Sequence, residues 1–145
     1  MCGIVGYVSL GQVADGKKFD HSAYDVVLEG LRRQEYRGYD SAGVAVIGDE
    51  GIEFRKKSGK LVNLAAEVAA NPMTESTIGI GHTRWATHGG PTDNNAHPHV
   101  VDNDRLAVVH NGIIENFAEL RAELLEEGVT FLSQTDTEIA ANLIA

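Results

Sequence analysis

The single cysteine of the chain, Cys2, directly follows the first methionine. A cysteine side chain is small enough for removal of the initiator methionine, so we expect Cys2 to be the first residue of the mature protein. Its thiol and its α-amine then belong to one residue, with ordinary pKa values of about 8.5 and about 7.7–8.0. Such an amine can act as general base for its own side chain, as in the pair of a threonine and its N-terminal amine. The alternative is a small buried apolar residue at the start of a strand.

A second candidate segment follows an apolar run with His110, Asn111 and Gly112. The end of a strand leaves backbone N–H groups unpaired, and an asparagine amide beside a glycine N–H offers two donors to one developing negative charge. These residues predict an oxyanion hole. A simple Asn-Gly turn is the alternative.

Arg84 and Asp136 are candidate binding residues of opposite charge. Arg84 lies where a predicted strand enters a long loop, and its guanidinium can clamp a carboxylate with two hydrogen bonds. Trp85 beside it is large enough to serve as a lid, and Asp136 can bind an ammonium group. The alternatives are a surface arginine beside a hydrophobic tryptophan plug, and an aspartate that serves only the dipole of a helix.

The segment His97-Pro98-His99 has the spacing of two metal ligands on a strand. No third soft ligand is near it and the chain has no second cysteine, whereas zinc sites use three or four protein ligands. The glycines form neither a GxGxxG nor a GxxxxGK[ST] loop. We therefore expect no metal and no cofactor.

The elements that must position these residues are mixed strands and helices, and we predict an α+β fold. A long segment without periodicity, 84–104, is typical of a functional or disordered loop. A capping box, Thr135-x-x-Glu138, opens the last predicted helix, which runs to residue 145 without a stop signal and indicates a cut end. The other helices are predicted around 24–31 (with Asp20 or Ser22 as N-cap), 61–68 and 117–124, a polar turn at 15–18, and strands at 4–8, 42–47, 52–57, 77–82, 106–110 and 130–132.

Size and charge narrow the classes of function. The 145 residues carry 12 basic and 21 acidic side chains, a net charge of −9. One globular domain is the expectation for this length, and an acidic protein is a poor partner for nucleic acid or an anionic membrane. A single cysteine excludes an internal disulfide and favours a reducing compartment, the cytoplasm. No apolar run is long enough for a transmembrane helix, and the N-terminus lacks the features of a signal peptide.

Six segments, in this order, resemble a known family: MCGIVG at 1–6, YRGYDSAG at 36–43, HTRWATHG at 82–89, AHPH at 96–99, HNGIIEN at 110–116 and TDTE at 135–138. The chain is similar to the N-terminal glutaminase domain of the glutamine–fructose-6-phosphate aminotransferases (isomerising), the glucosamine-6-phosphate synthases. The Cys-Gly-Ile start is shared by all class II glutamine amidotransferases, whereas the segments at 36–43 and 82–89 are more specific.

The resemblance implies an N-terminal-nucleophile hydrolase fold, an αββα sandwich of antiparallel sheets, and hydrolysis of glutamine to glutamate and ammonia. It implies that Cys2 is the nucleophile and that Asn111 and Gly112 form the oxyanion hole. Arg84 would hold the glutamine carboxylate and Asp136 its ammonium group. The other implied residues are Trp85, Thr87 and His88 in a mobile loop, with Trp85 gating the passage of ammonia, and Arg37 and Gly38 near the nucleophile.

The resemblance also implies that the domain continues beyond residue 145. Two sugar isomerase domains, absent here, would follow and bind fructose 6-phosphate, and the full-length enzyme would be a homodimer.

Three other functions remain open at this point. The chain could be an inactive fragment in which Met1 blocks the amine or Cys2 is poorly supported. It could be a class II amidotransferase with another acceptor, against which 36–43 and 82–89 argue, or a redox protein, although it has no resolving cysteine.

Overall fold

The two sheets of the molecule are antiparallel throughout, in a computed structural model that describes residues 2–10 and 21–145. The larger sheet has the strand order β1-β4-β2-β3, and the smaller one pairs β5 with β6. The strands are β1 (Gly3–Val8), β2 (Ser41–Ile47), β3 (Ile52–Ser58), β4 (Ile78–Arg84), β5 (His99–Val101) and β6 (Leu106–Val108). The helices are α1 (Ala23–Arg32), α2 (Leu61–Ala70), α3 (Phe117–Glu126) and α4 (Asp136–Ile144), with a 3₁₀ turn at Glu35–Arg37.

One face of the larger sheet, which we call the helix face, is covered by α1 and α2. Val27 and Leu31 of α1 and Leu64 of α2 pack with Val44 of β2, and all four side chains are fully buried. Each such side chain contributes about 1.5–3 kcal/mol by leaving water. The close approach of α1 requires Gly81 on β4, because a Cβ atom there would lie 2.4 Å from a methyl group of Val27.

The opposite face, which we call the site face, is covered over only part of its area. The carbonyl oxygen of His97 lies so close to β2 that a Cβ on Gly43 would be 2.0 Å from it. The loop before β5 therefore rests directly on the sheet, and α4 packs against β5 and β6. Farther along this face an open apolar cavity of about 270 Å³ remains, lined in part by Ile47, Ile78 and Leu106.

Most of the predicted elements are confirmed, including all four helices and the strands at 42–47 and 52–57, which are β2 and β3. Ser22 is the N-cap of α1 by position, but its hydroxyl accepts from the N–H of Ser76 and makes no cap bond. Asp20 and the turn at 15–18 lie outside the described residues. The segment 84–104 contains one short strand, β5, and the strand expected at 106–110 ends at Val108.

The strand predicted at 130–132 is wrong. The carboxylate of Glu138 accepts the backbone N–H groups of Leu132 and Ser133, both at 2.7 Å, so these donors are not available to a neighbouring strand. The capping box is correspondingly half formed. The Thr135 hydroxyl accepts from the Glu138 N–H, but the Glu138 carboxylate binds the preceding loop instead of returning to the N-cap.

Among the described residues, no helix has both the length and the apolar character needed to cross a bilayer.

Candidate active site

Cys2 lies beside the end of β4. The pairing of Gly3 with Thr83 places the residue before β1 next to the residues that leave β4. The backbone N–H of Trp85 donates to Sγ of Cys2 at 3.2 Å. Cys2 is half-buried, at the edge of a cleft, and is not part of the apolar core.

The cleft at Cys2 brings together seven of the ten residues singled out in the sequence. Its free volume is about 30 Å³, which is room for no more than a few water molecules. A ligand of amino-acid size therefore requires the lining to open, and Trp85, 56% exposed, has room to move. The lining residues are Cys2, Arg84, Trp85, Thr87, His97, His110, Asn111, Gly112, Asp136 and Thr137.

Asn111 and Gly112 lie on the exposed rim of this cleft, just after β6. The His110 ring lies against Gly112, where a Cβ would be 2.7 Å from its Nε2. The same ring is 3.2 Å from the Thr137 hydroxyl through Nδ1. Glycine at 112 therefore lets the backbone pass close to the His110 ring, which Thr137 of α4 holds in place. A simple Asn-Gly turn would not need this close approach.

Arg84 is 4% exposed, so the alternative of a surface arginine is wrong. Its guanidinium donates to the carbonyl oxygens of Gly90 at 3.3 Å and Gly89 at 3.4 Å, and to that of His88. These contacts use at most three of its five N–H groups. Burial lowers the pKa of Arg84, while the negative charges of Asp40, Cys2 and Asp136 act in the opposite direction.

Asp136 is also 4% exposed and is the first residue of α4. Its Oδ2 accepts the backbone N–H of Ile114 at 2.8 Å. The start of a helix stabilises a negative charge, and a carboxylate has acceptor capacity beyond a single bond. Asp136 therefore ties the segment after Gly112 to α4 and presents a buried negative charge to the cleft.

Three of the predicted residues do not line the cleft. The His88 ring packs against Phe117, with centroids 4.7 Å apart, and its Nε2 is buried with no partner among the described residues. Arg37 ends the 3₁₀ turn, and Gly38 follows it with φ +74°. A Cβ on Gly38 would lie 3.6 Å from the Trp85 ring, so this glycine borders the tryptophan and not the thiol.

Four residues near the site were missed or misread from the sequence. His97, His110 and Thr137 line the cleft, although His97 was considered only as a metal ligand and His110 only as the end of a strand. Asp40 accepts from the N–H of Ala86 at 2.6 Å and donates its own N–H to the carbonyl of Arg84 at 2.8 Å. It therefore fixes the peptides on both sides of Trp85. Its place within the motif at 36–43 was the only signal.

Three buried histidines lie behind the cleft. The rings of His82 and His97 are stacked at 4.5 Å, and His99 meets His97 edge-on at 4.7 Å. Burial, aided by the positive charges nearby, lowers the pKa of His82 to about 4 and that of His99 to about 3. These rings are therefore neutral at pH 7. Within residues 2–10 and 21–145, no group of three or more His, Cys, Asp or Glu side chains is arranged to hold a metal ion.

Comparison with known proteins shows the family of the chain. The model of the glutamine amidotransferase domain matches residues 68–145, more than half of the chain. The chain is 67% identical over its whole length to a glutamine–fructose-6-phosphate aminotransferase (isomerizing) of Corynebacterium efficiens and covers 23% of it. It is 54% identical over 99% of its length to the enzyme of that name from Thermus thermophilus, of which it covers 22%. The chain thus spans about a quarter of the length of these curated relatives.

Solved structures carry the same fold. A glutamine phosphoribosylpyrophosphate amidotransferase from B. subtilis superposes on 97% of this chain, and on 28% of its own, with a TM-score of 0.73 and 26% identity. A structure described as the allosteric regulatory enzyme of purine biosynthesis gives a TM-score of 0.74 at the same identity. The predicted α+β fold of the N-terminal-nucleophile type is confirmed, and the chain belongs to the glutamine amidotransferase family.

Proposed function

We propose that this chain is the glutaminase part of a glutamine–fructose-6-phosphate aminotransferase and hydrolyses glutamine to glutamate and ammonia. The observation that carries the proposal is the convergence of Cys2, Arg84 and Asp136 on one cleft. Glutamine is a zwitterion with a neutral amide at its far end, so its recognition requires one cation, one anion and a nucleophile. The names of the most similar relatives support fructose 6-phosphate as the acceptor of the ammonia, bound by domains outside these 145 residues.

In the proposed binding mode, Arg84 holds the α-carboxylate of glutamine and Asp136 holds its α-ammonium group. Both are buried, so the ion pairs form where water screens them little. Trp85, Thr87 and His88 belong to the loop that closes over the substrate. The contacts of Arg84 with the carbonyls of 88–90 support this grouping, because they join the clamp to that loop.

In the proposed reaction, removal of Met1 frees the α-amine of Cys2, which takes the thiol proton. The thiolate attacks the amide carbon, and the oxyanion is stabilised by the Asn111 side chain and the Gly112 N–H. The protonated α-amine of Cys2 then gives its proton to the amide nitrogen, which leaves as ammonia. A γ-glutamyl thioester of Cys2 remains. Water hydrolyses the thioester, which releases glutamate and restores the thiol.

A glutaminase assay combined with measurement of the intact mass tests this proposal. We expect glutamate release by protein that lacks Met1, its loss on thiol alkylation, and its loss in the variant Cys2→Ala. Full activity of Cys2→Ala would refute the nucleophile. Activity confined to the fraction without Met1 would separate a blocked amine from an inactive fragment.

The acceptor needs its own experiment, because another class II amidotransferase would pass the same assay. The full-length protein should convert fructose 6-phosphate to glucosamine 6-phosphate with glutamine as donor. Transfer to a different acceptor, and none to fructose 6-phosphate, would contradict this part of the proposal. A cytoplasmic location fits a catalytic thiol that must stay reduced, and the homodimer of the full-length enzyme stays a prediction.

A further inference from the structure

We propose that His97 is a positioning residue that holds the oxyanion segment, residues 110–112, in place. This inference rests on the proposed function, because that function makes Asn111 and Gly112 the donors to the oxyanion. His97 does not touch the reacting atoms in this role. It acts through the backbone of His110, the residue that precedes the two donors.

The contact that carries the inference is a hydrogen bond from the backbone N–H of His110 to Nδ1 of His97, at 3.3 Å. The ladder of β5 and β6 pairs His99 with Val108, so one further step would place His97 opposite His110. The ladder ends before that step. The His97 carbonyl, which a further ladder bond would use, lies instead against Gly43 of β2. The ring nitrogen thus accepts an N–H group that the strand leaves unpaired.

His97 is fixed well enough to serve as a reference point. Its side chain is 3% exposed and is stacked on His82 of β4, with an angle of 20° between the rings. The His99 ring meets the His97 ring edge-on, and Nε2 of His99 is 2.7 Å from the hydroxyl of Thr135, the N-cap of α4. The stacked rings therefore connect the sheet, the oxyanion segment and the helix that begins with Asp136.

The role requires a neutral ring with its proton on Nε2, because a protonated Nδ1 cannot accept. Burial lowers the pKa of His97 far below its ordinary value of 6.5, and the charges of Arg84 and Lys56 act in the same direction. The acceptor therefore persists through the physiological range of pH. The titratable and charged groups around the ring are Cys2 before β1, Lys56 of β3, His82 and Arg84 of β4, His99 of β5, His110 after β6 and Asp136 of α4.

Three substitutions separate this contact from simple packing. In His97→Asn, the amide oxygen is three bonds from Cα, as Nδ1 is, and can accept from His110. In His97→Gln, the amide lies one bond farther, at the reach of Nε2, and His97→Leu has no acceptor. His21→Gln is the control, because His21 is exposed and lies outside the cleft.

We expect His97→Asn to keep kcat for glutamine hydrolysis within about threefold of wild type. His97→Gln and His97→Leu should lower kcat by about 10- to 100-fold with KM within about twofold, because a displaced donor weakens only the transition state. Alkylation of Cys2 by iodoacetamide forms no oxyanion, so its rate should not change. A wild-type kcat in His97→Leu, or an equal loss of kcat and alkylation rate in all three variants, would overturn the proposal.

Exchange of the His110 amide proton, followed by NMR, tests the contact without activity. Exchange should be faster in His97→Gln and His97→Leu than in wild type and His97→Asn. Equal exchange rates in all four proteins would overturn the positioning role. If wild-type protein without Met1 releases no glutamate, the proposed function fails, whereas the exchange rates still decide whether His97 holds this segment.

Discussion

Different interactions stabilise the two faces of the larger sheet. On the helix face, Val44 meets Val27 and Leu31 in a fully apolar interface. On the site face, equally buried positions hold polar side chains: Arg84 donates to the carbonyl groups of 88–90, and the His82 ring stacks on His97. Transfer of apolar surface from water is nondirectional, so the first face tolerates exchanges of similar volume. The arrangement of side chains on the site face depends instead on individual hydrogen bonds and charges. The comparison predicts that helix-face changes act on stability and that site-face changes act on chemistry.

The largest effect should follow from Asp136→Asn. The amide oxygen can still accept the N–H of Ile114, so the fold is retained, but the negative charge that we propose binds the substrate ammonium is lost. Removing one partner of a buried charge pair costs about 2–5 kcal/mol, so we expect kcat/KM to fall by about 30- to 4,000-fold. Steady-state kinetics and a urea titration check this. A drop in stability without a drop in kcat/KM would reverse the proposed division between the faces.

The pH dependence of unfolding should report the buried histidines of the site face. The pKa of His82 is about 4 in the folded protein and 6.5 in an unfolded chain, so the unfolded state binds more protons below pH 6.5. Stability is therefore full above pH 6.5 and falls as the pH drops toward 4, by up to about 1.4 kcal/mol per pH unit for one such group. Urea unfolding at pH 7, 6 and 5 measures the slope. His82→Phe should make it shallower, and an unchanged slope would contradict the assignment; His21→Gln serves as the control.

On the helix face, Gly81→Ala should lower stability and spare the chemistry. The added Cβ would meet Val27 at 2.4 Å and Leu31 at 3.0 Å, and such overpacking costs about 1–3 kcal/mol. Gly6→Ala is the matched control, because a Cβ on this strand glycine has no neighbour within 4 Å. Thermal unfolding should separate the two variants, while kcat per folded molecule stays at the wild-type value. Equal melting temperatures would show that α1 can move away from the sheet.

The smallest effect should come from Thr135→Ala at the N-cap of α4. The Thr135 hydroxyl accepts from the Glu138 N–H and is 2.7 Å from Nε2 of His99. Loss of an N-cap costs about 0.5–2 kcal/mol, and Thr135→Ser, which keeps the hydroxyl, should recover most of it. The midpoint of urea unfolding is the measurement. If serine and alanine destabilise equally, the methyl group and not the hydrogen bonds stabilises this corner.

The same contrast explains how far the sequence allows prediction. The helix face could be predicted from periodicity, because burial follows the apolar pattern of α1 and α2. The prediction of a strand at 130–132 was wrong because the Glu138 carboxylate accepts backbone N–H groups that a strand would need. Glu138 lies in the next helix, outside the apolar segment from which the strand was predicted. Periodicity carries no information about such a side chain.

Within the site, residue type alone indicated a functional role where the side chain itself carries the reactive, donating or charged group. A thiol after Met1, an asparagine beside a glycine and two opposite charges could each be identified alone or through the family resemblance. His97 could not, because its contact depends on the place where the ladder of β5 and β6 stops. Asp40 was missed for a similar reason, since its partners are backbone groups of 84 and 86.

The carbonyl groups around Arg84 have a consequence for the energetics of binding. A cation exposed to water must give up its hydration shell to each incoming anion. Here that cost was met during folding, since the backbone of 88–90 already replaces water around the guanidinium. In the proposed binding mode, the substrate carboxylate that arrives at Arg84 exchanges with neutral dipoles and not with bulk solvent. The free energy it gains can then serve orientation of the amide toward the thiol, which is the benefit of a preorganised site.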